Sequence, residues 1–329
     1  MRTSVTERLG IERPIVQAPI GGLSVPALAG AVSKAGGLGM MSVTWRGLDE
    51  IRDAIATLRT ITDRPFGVNL IIDEPMEDRV QVALDAGARI VSFFWGDPTP
   101  YLEAVHAAGG LAMLTVGSAD EARRAVDQGI DIVVAQGWEA GGHVWGQVST
   151  LALVPAVVDA VPGTPVIAAG GITDGRGLAA VLALGAGAAW LGTRFVACAE
   201  SPAHPQYVAR LLAASETDTY YGQLFDIGWP DAPHRVLHNA TVATWRAAGS
   251  PPTGQRPGEG EVLATRPDGT ELVRYGSSAV EAGAVGRIEE LSLWCGQGVG
   301  LVREVLPAAE IVRRTTAEAE AILGGASRP

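Results

Sequence analysis

Lysine is almost missing from this chain. Lys34 is the single lysine among 25 basic residues in a sequence of 329, and arginine supplies the rest. Codon bias explains the exchange without any appeal to function, yet it has a chemical consequence. Lys34 falls within the first helix of the repeating pattern described below, so no lysine stands at a strand end to form a Schiff base. Aldolases that work through a lysine imine are excluded. Cysteine is nearly as scarce: Cys198 and Cys295 stand far apart in no metal-ligand spacing, which fits a reducing compartment. No basic block offsets the net charge of −11, which argues against nucleic acid and anionic membrane surfaces as partners. No apolar run reaches membrane-spanning length free of Gly, Pro or charge. The opening residues MRTSVTERLG lack the apolar region of a signal peptide. A soluble, cytoplasmic protein is expected.

What the chain has in abundance is apolar residues, 47% of the total, and 42 glycines. They alternate in a recurring phrase: a helix-like segment, a glycine, then a short apolar run. The phrase appears at 31–41, 82–93, 104–114, 125–135 and 181–191. Each glycine stands where a helix ends in a left-handed cap, and each run is short and β-prone, as in parallel strands covered on both faces. Two further units end at Asp63-Arg64-Pro65 and at Pro162-Gly163, and a first strand is expected from Ile15 to Ile20. Eight strands alternating with helices predict an α/β (β/α)8 TIM barrel rather than a doubly wound sheet. The barrel pattern is complete near Phe195, a helix is expected from His204 to Ala214, and the first unit is bounded at 1–216. Residues 217–283 lose the rhythm and are rich in Gly, Pro and polar residues, which predicts a lid-like insertion with one helix near Leu237–Ala247. Helical periodicity returns at Arg287–Leu323, so 284–329 is expected to form C-terminal helices packed on the barrel.

Active sites of such barrels lie on the loops after the strands. The sixth strand opens into QGWEAGGHVWG, which carries Gln136, Gly141, Gly142 and His143. Gly141 and Gly142 remove side chains, so a flat ligand can approach the backbone with the His143 imidazole facing it. The seventh strand ends in AAGGIT, with Ala169, Gly170 and Gly171 ahead of a helix begun by Thr173, Asp174 or Gly175. The eighth ends in LGTRF, with Gly192 and Thr193. Amides at these two loops and at the helix start form the usual phosphate site of the fold, through their orphan N–H groups and the helix dipole. The first strand ends in QAPIGG, where Ala18, Ile20 and Gly21 make an apolar turn suited to the face of an aromatic ring. Asn69 and Gln136 add side-chain amides that both donate and accept, as reading a heterocycle requires. Together these describe a site for flavin mononucleotide better than one for a small sugar phosphate. Trp45, Trp95, Trp138 and Trp145 crowd the same rim and point to an apolar substrate pocket. His234 and His238, four apart, could share a helical face, but too few ligands accompany them for a metal site, and none is predicted.

These pieces taken together resemble the nitronate monooxygenase family, once called 2-nitropropane dioxygenases. The matching text is PIVQAPIGG, RPFGVNL, QGWEAGGHVWG, AAVLALGAGAAWLGTRF, ESPAHP and LWCGQGVGLVRE, spanning about residues 11–305. The resemblance implies an FMN-binding barrel in which Ala18, Ile20, Gly21, Asn69, Gln136, Gly141, Gly142, Ala169, Gly170, Gly171, Gly192 and Thr193 contact FMN. Thr115, at the end of the fifth strand, stands on the flavin side where some relatives place a lysine. His143 matches the family's catalytic histidine. The chain departs from the family text in reading GGHVWG where members often read GGHRG, which makes the pocket wall bulkier. The implied activity is FMN-dependent oxidation of alkyl nitronates, and of nitroalkanes, by O2 to a carbonyl compound and nitrite. The substrate is a small apolar or nitro-bearing molecule, and homo-oligomerisation stays open. Alternatives are an NAD(P)H-dependent flavin reductase of quinones or enoyl thioesters and a non-catalytic flavin carrier. A flavin-free sugar-phosphate lyase or isomerase is disfavoured by the missing lysine and the lack of a carboxylate pair at strand ends.

Overall fold

The computed structural model describes residues 1–325. Its strands are β1 (Ile15–Gln17), β2 (Gly39–Ser42), β3 (Phe66–Ile71), β4 (Ile90–Phe94), β5 (Leu111–Val116), β6 (Ile132–Gln136), β7 (Gly142–His143), β8 (Val166–Ala169) and β9 (Ala188–Leu191). All but β7 join one sheet in the order β1-β9-β8-β6-β5-β4-β3-β2, every pair parallel. The sheet closes on itself where Leu38 N donates to Ile15 O and Gln17 N donates to Leu38 O, both at 2.9 Å. This is the expected (β/α)8 barrel.

Two apolar layers hold it. Outward-facing residues such as Ile15, Met41, Val68, Phe93, Val133 and Ala168 pack against the helices. Inward-facing ones, among them Val16, Met40, Met113, Val134, Ile167 and Trp190, fill the interior. Period-two alternation sends neighbours in a strand to opposite layers, and since both are apolar the strands read as continuous hydrophobic runs. The interior is plugged by Val5 and Leu9, from a helix at Ser4–Leu9 that sequence reading did not anticipate. Thr3 starts that helix with a capping box and Gly10 ends it at φ 68°.

β1 stops at Gln17, three residues short of the expected Ile20, because the chain turns into a 3-10 helix at Gly21–Leu23. The helix after the barrel runs Pro205–Ala213, capped by the His204 ring, which accepts from Gln206 N. The segment after it is more regular than its composition predicts. β10 (Thr219–Gly222) and β11 (His234–Leu237) pair antiparallel, and β11 also takes β7 as a partner, with His234 opposite His143. A second small sheet joins β12 (Val262–Thr265), β13 (Glu271–Val273) and β14 (Val285–Gly286). The expected helix is shorter, Ala240–Ala247, because residues 234–237 are strand. His234 therefore lies on a strand, and His234 and His238 share no helical face.

The C-terminal stretch also differs from expectation. Residues 287–307 form two 3-10 turns, Ile288–Glu290 and Gln297–Leu301, with irregular chain between them. Only Ala308–Leu323 is α-helix. That helix packs on the helix Gly175–Ala183, where a Cβ on Gly175 would stand 2.4 Å from the Cβ of Glu318.

Candidate active site

The loops after the barrel strands surround a cavity of about 500 Å³, within the usual range for small-molecule sites. Ala18, Ile20 and Gly21 border it after β1, Asn69 within β3, and Thr115 within β5. Gln136, Gly141, Gly142 and His143 border it from β6 and its loop, Ala169, Gly170 and Gly171 after β8, and Gly192 and Thr193 after β9. His143 and all the residues expected to contact the flavin thus meet at one space.

One end of the cavity is a cradle of backbone. Gly170 and Gly171 take φ of 105° and 71°, conformations that residues with a Cβ rarely adopt. Their amides, and that of Ile172, make no hydrogen bond among the described residues. The expectation that the following helix start binds the anion needs correction. Asp174 accepts from Arg176 N at 3.0 Å and Gly177 N at 3.4 Å, and Glu318 accepts from Gly175 N at 2.8 Å. Two carboxylates already occupy the helix N-terminus, so the free donors are those of the loop before it. Thr193 Oγ1 accepts from Gly296 N at 2.9 Å, and Thr173 Oγ1 donates to Gly298 O at 3.0 Å. These bonds bring the GQG turn of the C-terminal segment against the cradle.

The two glycines of the β6 loop have different reasons to be glycine. A Cβ on Gly141 would lie 2.2 Å from Cys295 C and Gly296 N, so two backbones cross there and leave no room for a side chain. That glycine is a packing requirement. Gly142, at φ 70°, has nothing within 4 Å of its would-be Cβ. Gln136 is committed to this loop: Nε2 donates to His143 O at 3.2 Å and Oε1 accepts from Trp145 N at 2.8 Å. Its amide organises the histidine-bearing turn. Asn69 is partly committed as well, donating from Nδ2 to Ser92 O at 3.2 Å.

His143 sits under an aromatic roof. Its ring centroid is 3.9 Å from that of Trp229, 5.2 Å from Trp294 and 6.2 Å from Trp95. Nε2 is buried and has no hydrogen-bond partner. Burial, with His234 beside it, pulls the imidazole down to about 3, so it is neutral at pH 7. His234 is pulled down to about 4 by burial, and its ring is fixed on both sides. Nε2 accepts from Phe225 N at 3.1 Å, so Nδ1 carries the proton that meets Ala232 O at 2.9 Å.

Of the four tryptophans expected at the rim, Trp45 borders the cavity, and Trp95 packs on Trp145 and Trp229. Trp138 points elsewhere, stacked on the Arg235 guanidinium at 4.4 Å. The roof's main members, Trp229 and Trp294, come from the insertion and the C-terminal segment and were missed. So were Arg266 and Glu281, which pair at 2.8 Å on the cavity wall. The LWCGQGVG text holds Trp294, Gly296 and Gly298, and its clustered glycines were the available clue. Among the described residues no group of His, Cys, Asp and Glu could hold a metal ion, and no helix is long and apolar enough to cross a membrane.

A (β/α)8 barrel whose loop end encloses a backbone cradle after β8 and β9, and a neutral histidine under an apolar roof, has the architecture of a barrel enzyme. A sequence model described as nitronate monooxygenase matches residues 2–78 and 71–318. The chain belongs to the nitronate monooxygenase family and is an oxidoreductase. It is 33% identical to a nitronate monooxygenase of Pseudomonas aeruginosa, covering 97% of this chain and 99% of the other. It is 39% identical to an octahydro-1H-indene-4-carboxyl-CoA dehydrogenase of Mycobacterium tuberculosis, covering 74% of this chain and 68% of that one. Among solved structures it resembles FabK from Thermotoga maritima at a TM-score of 0.81 and 34% identity, covering 99% and 98% of the two chains.

Proposed function

We propose that this protein binds FMN and oxidises alkyl nitronates with O2 to a carbonyl compound and nitrite. The observation that carries this reading is His143: neutral, buried and without a partner at Nε2, on the wall of a cavity that a backbone cradle ends. The residues fit the cofactor. Gly170, Gly171 and Ile172 offer unbonded amides to a phosphate, joined by the loop at Gly192 and Thr193. The apolar turn Ala18–Gly21 and the open side of Gly142 leave room for a flat ring system. When bound, the flavin supplies the electron chemistry, and the protein supplies orientation and electrostatics.

The chain's own part is proton handling and exclusion of water. His143 is neutral and unpartnered at Nε2, so that nitrogen is the acceptor placed for the α-proton of a neutral nitroalkane. Burial weakens it as a base, and it takes that proton only as the anionic nitronate forms beside it and pairs with the imidazolium. A preformed nitronate has lost that proton and needs only to be held. The roof of Trp229, Trp294 and Trp95 keeps water from the histidine. The O2-dependent reading is tested by purifying the protein gently, identifying the released flavin, and measuring nitrite formed from a preformed nitronate. FAD, or no flavin at all, overturns the cofactor assignment.

A second reading is an NAD(P)H-dependent flavin reductase of quinones or enoyl thioesters. It is supported by the likeness to a carboxyl-CoA dehydrogenase, named above, at higher identity than the nitronate monooxygenase. Oxidation of NADH or NADPH by the purified protein, with no nitrite from nitronates, decides for it.

A further inference from the structure

Trp229 enters the cavity from the segment after the barrel, where ring contacts and apolar packing with Ile71 and Ala232 hold its side chain. Its indole meets Trp45 edge-on at 6.1 Å and Trp95 at 5.2 Å, and it tilts 42° against the His143 ring at 3.9 Å. The indole nitrogen makes no hydrogen bond among the described residues and is not among the buried atoms left without a partner, so its N–H is open to the cavity that Trp229 lines. The backbone around it turns through two left-handed residues, Gly228 at φ 97° and Asp231 at φ 57°. Trp45, in edge contact with Trp229, is 59% exposed, so the Trp229 indole touches both the solvent-exposed rim and the histidine.

We propose that Trp229 is the specificity-determining residue of this site, its indole filling the space over His143 and limiting the bulk of the carbon skeleton that can reach Nε2. This rests on the nitronate reading above. A flat, short nitronate needs a small displacement of the indole, whereas a cyclic or branched one needs the whole ring's volume. The unbonded indole N–H is also a donor available to a nitronate oxygen in the opened site.

The test uses the flavin-loaded protein carrying Trp229→Ala or Trp229→Phe. The first quantity is the ratio of kcat/KM for the nitronate of nitrocyclohexane to that for the nitronate of nitroethane. Trp229→Ala should raise this ratio by about tenfold or more, the usual scale for a pocket change of a few carbons. Trp229→Phe keeps an aromatic ring in the roof and should fall between. A ratio within about twofold of the parent in both variants overturns the proposal. The second quantity needs no turnover: the titration of the His143 imidazole followed by NMR. The titratable group facing His143 is His234 on β11, 5.8 Å away and held neutral, while its other neighbours are Trp95, Trp229 and Trp294. Removing the indole admits water, so the His143 midpoint should move up toward the ordinary imidazole range in Trp229→Ala. An unmoved midpoint overturns the cover that the proposal requires. If the parent protein forms no nitrite from any nitronate, the nitronate reading fails while the titration still decides whether Trp229 closes the site.

Discussion

A buried imidazole nitrogen with nothing to bond to costs free energy, and such groups persist where a ligand completes them. His143 Nε2 is one. Replacing His143 with alanine should leave flavin content unchanged, because the proposed cradle is built from other loops. Turnover of a neutral nitroalkane should fall by about 10²–10⁴, the range for a positioned base. Turnover of the preformed nitronate should fall much less, and an equal loss on both assigns His143 to holding the anion. The histidines also set a pH dependence of stability. His143 and His234 are pulled down to about 3 and about 4 when folded. Below about pH 6.5 the unfolded chain takes up protons at these rings and the folded chain does not, so stability falls as pH drops toward 4. Each ring contributes up to about 1.4 kcal/mol per pH unit in that window. His143→Gln should make the acid-side loss of Tm between pH 6.5 and 4 shallower, and an unchanged slope refutes the assignment. Chain reading found His143 from its place after a strand. The histidine's neutrality could not be read that way, because Trp229 and Trp294 lie 86 and 151 residues further along the chain.

Among the elements, the loops after β6 and β8 carry the site, and their glycines separate packing from binding. Gly141→Ala would drive a Cβ into the crossing backbone at Cys295 and Gly296. It should destabilise the fold by about 1–3 kcal/mol, the scale of an overpacked core, seen as a lower Tm with or without flavin. Gly171→Leu, at φ 71° and beside Glu139 Cβ at 3.2 Å, should instead lower FMN occupancy in protein that still folds. Full flavin content in that variant would remove the loop from the phosphate site. The strands and barrel helices were legible because period and glycine caps are local. The pairing of β7 with β11 was not, since a two-residue strand has no period of its own and its partner stands about 90 residues later. The same limit hid Glu318, which caps Gly175 across 143 residues and turns the expected anion site at that helix start into a carboxylate-filled one. Composition likewise predicted an irregular insertion, but buried arginines organise it. Arg256 pairs with Asp226 at 2.7 Å, and Arg274 pairs with Glu261 at 3.0 Å and Glu290 at 2.6 Å.

At the scale of the whole molecule, a barrel common to many chemistries is specialised by what is laid over its loop end. Residues 217–283 bring Trp229 and the C-terminal segment brings Trp294 and the GQG turn, so the cavity draws its lining from three stretches of the chain. Ligand that binds this assembled cavity stabilises the folded state by mass action. Excess FMN should therefore raise the Tm of the flavin-stripped protein, while a phosphate-free flavin should raise it less. The most direct test of the account is nitrite release under O2, measured with flavin-loaded protein and a preformed short-chain nitronate in the absence of any nicotinamide. Catalytic nitrite formation, with FMN recovered from the denatured enzyme, is the predicted result. No nitrite under those conditions, together with oxidation of NADH or NADPH, would contradict it.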